Sequence, residues 1–352
     1  MRTWRAHLRN LRWPALLAAV VLLWFSLRSV NRVEVWAQLR TLDAGDLALL
    51  ALVNLAVLAT FSARWWILLR AQGYAVPYAK LMGYRLAAFA VSYFTPGPQI
   101  GGEPLQGYSV TARHGVPAPV SAAAVLLDKA FEMMASFIFL VAGLIFVVQP
   151  ELLPRGLRAP LLTSGVGLLL LPGALLAALA MGRRPVSGAW DWAATRWARL
   201  RRMKPTRARR AGRSYQAVRA AEVQSTTLCR SHPAWWAAAT AATALSWVAL
   251  MAEFWLMARI LGLGLTFGQA MAALLAMRWA VLLPLPAGLG ALEASLIFAA
   301  RALGLDPAAG LSMALLIRAR DLLLGFIGLW IAAGLLRRTP APAAVPAPAL
   351  PD

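Results

Sequence analysis

Of the chain's 352 residues, 60% are hydrophobic, and the mean hydropathy is +0.64; a soluble domain is ~45–50% apolar, so a water-soluble fold is excluded. The net charge of +21 would suggest nucleic acid in a soluble protein. Here the arginines cluster between apolar runs, as positive-inside anchoring requires, so nucleic acid is not an expected partner. One cysteine, Cys229, makes no intrachain disulfide, and His7, His114 and His232 are scattered; no metal and no cofactor are expected.

The first apolar run, Trp13 to Leu27, follows Arg2, Arg5, Arg9 and Arg12. It has the outline of a signal peptide, but Phe25-Ser-Leu-Arg-Ser offers no A-x-A-like cleavage site, so it is read as an uncleaved first span. A polar loop with Glu34, Asp43 and Asp46 leads to span two, Leu47 to Leu69. Arg64 and Arg70, near its far end, are assigned to snorkelling or structural roles, as are Arg278 and Arg301.

Residues 81–115 break the pattern. A short helical run to Phe94 meets Thr95-Pro-Gly-Pro-Gln-Ile-Gly-Gly-Glu-Pro104, and a second short run ends at Gly115. Neither half approaches the ~20 residues needed to cross a bilayer. The spacing predicts a re-entrant hairpin broken at Pro96, Gly97, Pro98, Gly101 and Gly102, tolerable at membrane depth only if protein or a water-filled cavity covers it. Span three, Ser121 to Val148, carries Asp128, Lys129 and Glu132; span four, Leu161 to Met181, contains Pro172-Gly173.

Residues 183–233 form the one long polar stretch, with thirteen Arg or Lys against Asp191 and Glu222, and with Trp190, Trp192 and Trp197. This composition fits either a basic helix lying on the cytoplasmic leaflet or a solvated linker. Span five, Ala234 to about Ile260, holds Glu253. A second hairpin is expected near 267–304, broken at Pro284, Pro286, Gly288 and Gly290 and followed by Glu293. Span six, Pro307 to Leu336, contains Arg318, Arg320 and Asp321, and the Pro/Ala-rich residues 339–352 are expected to be disordered.

Placing the N-terminus in the cytoplasm puts the strongest basic clusters, including Arg337-Arg338, on the inside. Three full spans separate the hairpins, an odd number, so the hairpins should enter from opposite faces. Their surroundings repeat as well. Glu103 is followed by Gly115 after 12 residues and Glu293 by Gly304 after 11, while Asp128 and Arg318 each lie 25 residues beyond the respective Glu. The expected fold is an all-α polytopic membrane protein: about six full spans plus two re-entrant hairpins in an inverted repeat. Its halves are residues 1–182 and 234–338, an arrangement that places a transporter's substrate near the midplane.

A Pro/Gly-rich break, a Gly-Gly-Glu, a Gly about a dozen residues on and then a charged helix resemble the flippase-like membrane region of the lysylphosphatidylglycerol synthase/flippase superfamily. The resemblance runs from Trp13 to Arg338. It implies movement of a lipid with a polar or charged headgroup between leaflets. These residues include no synthase-like soluble stretch, so synthesis is not implied. Glu103 directly after Gly101-Gly102, with Pro104 behind it, departs from the family's local pattern.

The charged residues inside the spans carry the candidate site. A charge at helix centre costs ~2.5–3.5 kcal/mol and faces a partner or a cavity. Glu103, Asp128, Lys129, Glu132, Glu293, Arg318, Arg320 and Asp321 are therefore the candidate cavity residues. Lys129 can pair with Glu132, and Arg318 with Asp321, each at i,i+3. Glu103 and Glu293 either cap the broken helices or meet a headgroup or proton. No nucleotide-binding or hydrolase motif is present, so no catalytic residue is expected. The expectation is a multi-pass lipid flippase of a bacterial-type inner membrane, with both termini cytoplasmic and anionic or headgroup-modified lipids as partners. A homodimer is compatible with the sequence but not required. The rival expectation is an integral membrane enzyme or an accessory scaffold of a lipid pathway such as that of hopanoids or glycolipids.

Overall fold

A computed structural model describes residues 42–95, 101–146, 155–200, 213–231, 233–283, 285 and 288–337, with isolated positions between 33 and 40. The first span, residues 201–212, the tail, and Pro96, Gly97, Pro98, Pro284 and Pro286 lie outside the described residues. Among the described residues every regular element is helical. In chain order they are α1 Ala44–Arg70, α2 Tyr78–Phe94, α3 Glu103–His114, α4 Ala118–Phe146, α5 Arg155–Ala180 and α6 Pro185–Leu200. Then come α7 Arg213–Ser231, α8 Pro233–Ile260, α9 Phe267–Val281, α10 Ala291–Ala302 and α11 Pro307–Arg337.

Three stretches are long and apolar enough to cross a membrane: Ala44–Arg70 (α1), Ala159–Ala180 within α5, and Ala234–Ile260 within α8. With 29 and 31 residues, α4 and α11 also exceed the ~30 Å hydrocarbon at ~1.5 Å per residue. Each carries three charged residues within five positions of its interior.

Local chemistry sets the helix ends. Asp43 and Asp46 form a reciprocal capping box at the start of α1, and Thr266 and Gln269 do the same for α9, satisfying amides that helix starts leave free. α3 stops at Gly115 (φ 65°) and α10 just before Gly304 (φ 73°). Both use the left-handed conformation that glycine reaches without a Cβ penalty.

Packing couples the two helix–break–helix units. α1 lies along α8; α2 packs on α11, and α9 on α4. The α2–α11 crossing is tight: a Cβ on Gly328 would come within 2.3 Å of the carbonyl oxygen of Leu86. One apolar cluster joins α1 through α5 with α7, α8 and α11 around Trp65, Leu69, Leu81 and Leu179; a second joins α8 to α11 around Met257, Leu274 and Leu296.

Part of the basic stretch packs on the bundle. α7 packs against α4 and α5, and α6 against α7. Fully buried Glu222 accepts from the amides of Val186 (2.6 Å) and Ser187 (2.9 Å), capping α6. Tyr215 donates to Asp191 at 2.9 Å. Trp190 and Trp192 remain exposed. Cys229, on α7, has its thiol pushed up to about 11 by burial, which makes it a poor nucleophile at neutral pH.

Candidate functional site

A cavity of about 300 Å³ lies between the two units and is lined from α1, α2, α3, α4, α8, α9, α10 and α11. Its wall carries Arg85, Glu103, Asp128, Lys129, Glu132, Glu253, Arg278, Arg320 and Asp321, with Asn54, Gln106 and Tyr93 among the neutral polar groups. Charges gathered at this depth must be held by one another, because isolated burial is prohibitively costly.

At the first-unit end every charge stands within 4 Å of one of opposite sign. Asp128 takes Arg64 Nε on Oδ1 at 2.7 Å and Arg85 on Oδ2 at 2.9 Å. Arg85 and Arg64 also reach Glu132 Oε2, at 3.5 and 3.7 Å. Lys129 donates to Glu132 at 3.1 Å and stands 3.4 Å from Glu103. Arg64 further donates to Thr243 of α8 at 3.3 Å. Three cations and three carboxylates thus form one network reaching from α1 to α4, with α8 attached. Arg64 is wholly buried, which rules out snorkelling: it is the anchor of the network, behind the cavity wall. The expected Lys129–Glu132 pair is present within this larger cluster.

Glu103 begins α3. Its Oε2 accepts from the amide of Gly101 at 2.8 Å, while Oε1 faces Lys129. The backbone beside it is tightly packed: a Cβ at Gly102 would sit 1.9 Å from the carbonyl oxygen of Ala88, and the Gly102 amide donates to Ser92 at 2.8 Å. Only glycine fits there.

The second unit repeats the cap but not its setting. Glu293 Oε2 accepts from the Gly290 amide at 2.9 Å, where Gly290 turns with φ 77°. Arg318 Nε donates to Glu293 Oε1 at 3.0 Å; its other nitrogens reach the Gly288 carbonyl and the Tyr93 hydroxyl, both at 3.0 Å. Glu293 and Arg318 are buried and do not line the cavity. The i,i+3 pairing of Arg318 with Asp321 is therefore corrected. Asp321 instead pairs with its neighbour Arg320, 2.9 Å from Nε, and Arg320 also binds Glu253 of α8.

Of the candidate residues, Glu103, Asp128, Lys129, Glu132, Arg320 and Asp321 face the cavity, while Glu293 and Arg318 hold the second break behind it. Gly101, Gly102, Gly288 and Gly290 stand at the two breaks. Sequence reasoning gave Arg85 and Glu253 no role. The available signal was their cost: a lone charge in an otherwise apolar helix has to be aimed at a partner. Arg278, assigned to a structural or snorkelling role, sits on the cavity wall with its guanidinium 5.0 Å from the centroid of the Trp247 ring.

The family profile described as the lysylphosphatidylglycerol synthase TM region matches residues 13–328, and so takes in every one of these charges. The chain belongs to this family. It is a membrane protein of a lipid-related family. No curated protein matches the chain.

Proposed function

We propose that this protein is a lipid transporter of the flippase type, moving a polar-headed lipid between leaflets through the cavity at the interface of its two units. The observation that carries the reading is the cavity itself: nine ionisable side chains, drawn from both units, around about 300 Å³ in the interior of a membrane protein. So many charges are costly to bury, and a cavity of polar lining gives a headgroup somewhere to pass. The acyl chains would stay in the bilayer. The reading takes the protein to be a transporter and not an enzyme, in a bacterial-type inner membrane with both termini cytoplasmic, as its basic clusters favour.

On this reading α2–α3 and α9–α10 are re-entrant hairpins of an inverted repeat. Three features support it. α2 packs on α11 as α9 packs on α4, with α1 and α8 paired between them. Each second half-helix has a Glu bonded to the amide of a glycine at the break. Each closes on a left-handed glycine. An odd number of full spans between the hairpins inverts them, and transporters of this architecture bind at the repeat interface.

The test is leaflet exchange of tail-labelled lipids in proteoliposomes, read by dithionite quenching. The wild-type protein should accelerate exchange. The paired replacement Glu103→Gln with Lys129→Met removes two opposite charges from the wall together, leaving net charge unchanged, and should cut the rate about tenfold or more while the protein stays folded. No exchange by the wild type would sink the transporter reading; wild-type rates in the folded double variant would sink the site.

A further inference from the structure

The α6–α7 pair, away from the cavity, is tied to the membrane edge at both ends. The apolar stretch within α5 ends at Ala180, and α6 starts at Pro185. Between them the chain turns sharply. Gly182 has φ 78°, its amide donates to the Leu179 carbonyl, and the Arg183 amide donates to that of Ala178, the pattern of a glycine-stopped helix. At the other end α7 stops at Ser231, and the next apolar stretch begins at Ala234. α6 therefore begins at headgroup depth, a few residues from the hydrocarbon. It is 16 residues long, about 24 Å. One side of it meets α7, with Ser187 buried and Asp191 bonded to Tyr215. The side turned away carries Val186, Ala189 and Trp192, with Trp190 on its flank, and all four are exposed.

Five exposed arginines belong to the same pair: Arg183 and Arg184 ahead of α6, Arg196 on it, and Arg219 and Arg230 on α7. Arg230 reaches back to the α5–α6 turn, where its Nη1 would lie 3.2 Å from a Cβ on Gly182, so three of the arginines share one corner. Among the described residues no carboxylate lies within 4 Å of any of the five. The acids of the pair are used inside it: Glu222 accepts from the first amides of α6, and Asp191 from Tyr215. We propose that α6 and this arginine corner form a docking surface for the anionic headgroups of the adjacent leaflet. The indoles and Val186 enter the headgroup boundary, and the guanidiniums take lipid phosphates through their paired donors. A soluble acidic partner would answer the arginines alone. Exposed tryptophans beside the end of a span are what an interfacial helix buries. The claim does not depend on what the cavity carries.

The test places a fluorophore on the exposed side of α6 in the full chain. Ala189→Cys, in a Cys229→Ser background, is labelled with a nitrobenzoxadiazole dye and reconstituted in phosphatidylcholine nanodiscs. A tenth of the lipid carries a nitroxide high on its acyl chain, with either a phosphatidylglycerol or a phosphatidylcholine headgroup. The phosphatidylglycerol probe should quench at least about fivefold more strongly, the effect of a single arginine near a charged surface, and rising salt should shrink that excess. Replacing Arg183, Arg184 and Arg230 together by Gln should bring the two probes toward equal quenching. Equal quenching by both probes in the protein with all its arginines would overturn the anionic assignment, and that comparison needs no arginine variant to fold. Quenching by neither would place α6 off the bilayer, leave a soluble partner as the reading of its arginines, and overturn the proposal. Strong phosphatidylglycerol quenching in a protein that exchanges no lipid would leave this surface standing and remove the transporter reading.

Discussion

Glu103 and Glu293 do the same local work in different surroundings. Each carboxylate bonds the amide of a glycine at its break, at 2.8 and 2.9 Å, and so steadies the start of the half-helix behind it. Beyond that they diverge. The Glu103 side chain is 23% exposed and faces Lys129, itself 28% exposed, on the cavity wall. The Glu293 side chain is 3% exposed and locked to Arg318, which also holds the Gly288 carbonyl and Tyr93. The first break opens onto the cavity; the second is sealed behind it. Matching positions in two units thus share a backbone task without sharing a function. The charges that face the cavity can be spent on a ligand, and those behind it on the fold.

The sharpest way to break that division is to remove an anchor that touches no cavity. Arg64→Met takes from buried Asp128 the closer of its two guanidiniums and leaves Arg85 to serve both Asp128 and Glu132. Breaking a buried pair costs about 3–5 kcal/mol, and thermal unfolding in detergent should show a loss of that size. A stability close to wild type would mean that Arg85 alone can hold both acids, and the first-unit network would no longer need an anchor.

Next in size is the contrast between the two breaks. Glu293→Gln uncouples a buried guanidinium and weakens the cap, and should cost about 3 kcal/mol. Glu103→Gln keeps an amide oxygen for Gly101 and loosens a pair that water partly screens, so it should cost about 1 kcal/mol or less. Measured together, the first should lower stability and the second should lower lipid exchange with little change in stability. Equal destabilisation would erase the distinction between a sealed and an open break.

The same contrast separates what could be read from sequence from what could not. The breaks, the Glu caps and the stops at Gly115 and Gly304 depend on contacts within a few residues, so composition and spacing reveal them. Partner choice does not. Arg85 meets Asp128 across 43 positions and Arg320 meets Glu253 across 67, distances over which helix periodicity carries no information. Even the short-range expectation for Arg318 and Asp321 failed for a physical reason. The broken backbone at Gly288 and the carboxylate of Glu293 offer Arg318 three acceptor atoms together, while Arg320 occupies Asp321 from the adjoining position. The packing of the basic stretch is hidden in the same way. Its arginines suggest a surface, but Glu222 and the apolar side of α7 are buried against the bundle.

The smallest effect tests whether the two units are tied together at all. The Tyr93 hydroxyl, two residues before Thr95 at the first break, accepts from Arg318 of the second unit at 3.0 Å, and it is the point where the sealed break touches the open one. Tyr93→Phe removes that acceptor and keeps the ring, which packs edge-on against Phe94 with centroids 5.2 Å apart. Arg318 retains Glu293 and Gly288, so the loss should be about 1 kcal/mol. In a double-mutant cycle with Glu293→Gln, the two changes should not add, because both act on one guanidinium. Strict additivity would mean that the breaks are held independently, and that whatever coordinates the two units runs through the cavity charges instead of through Arg318.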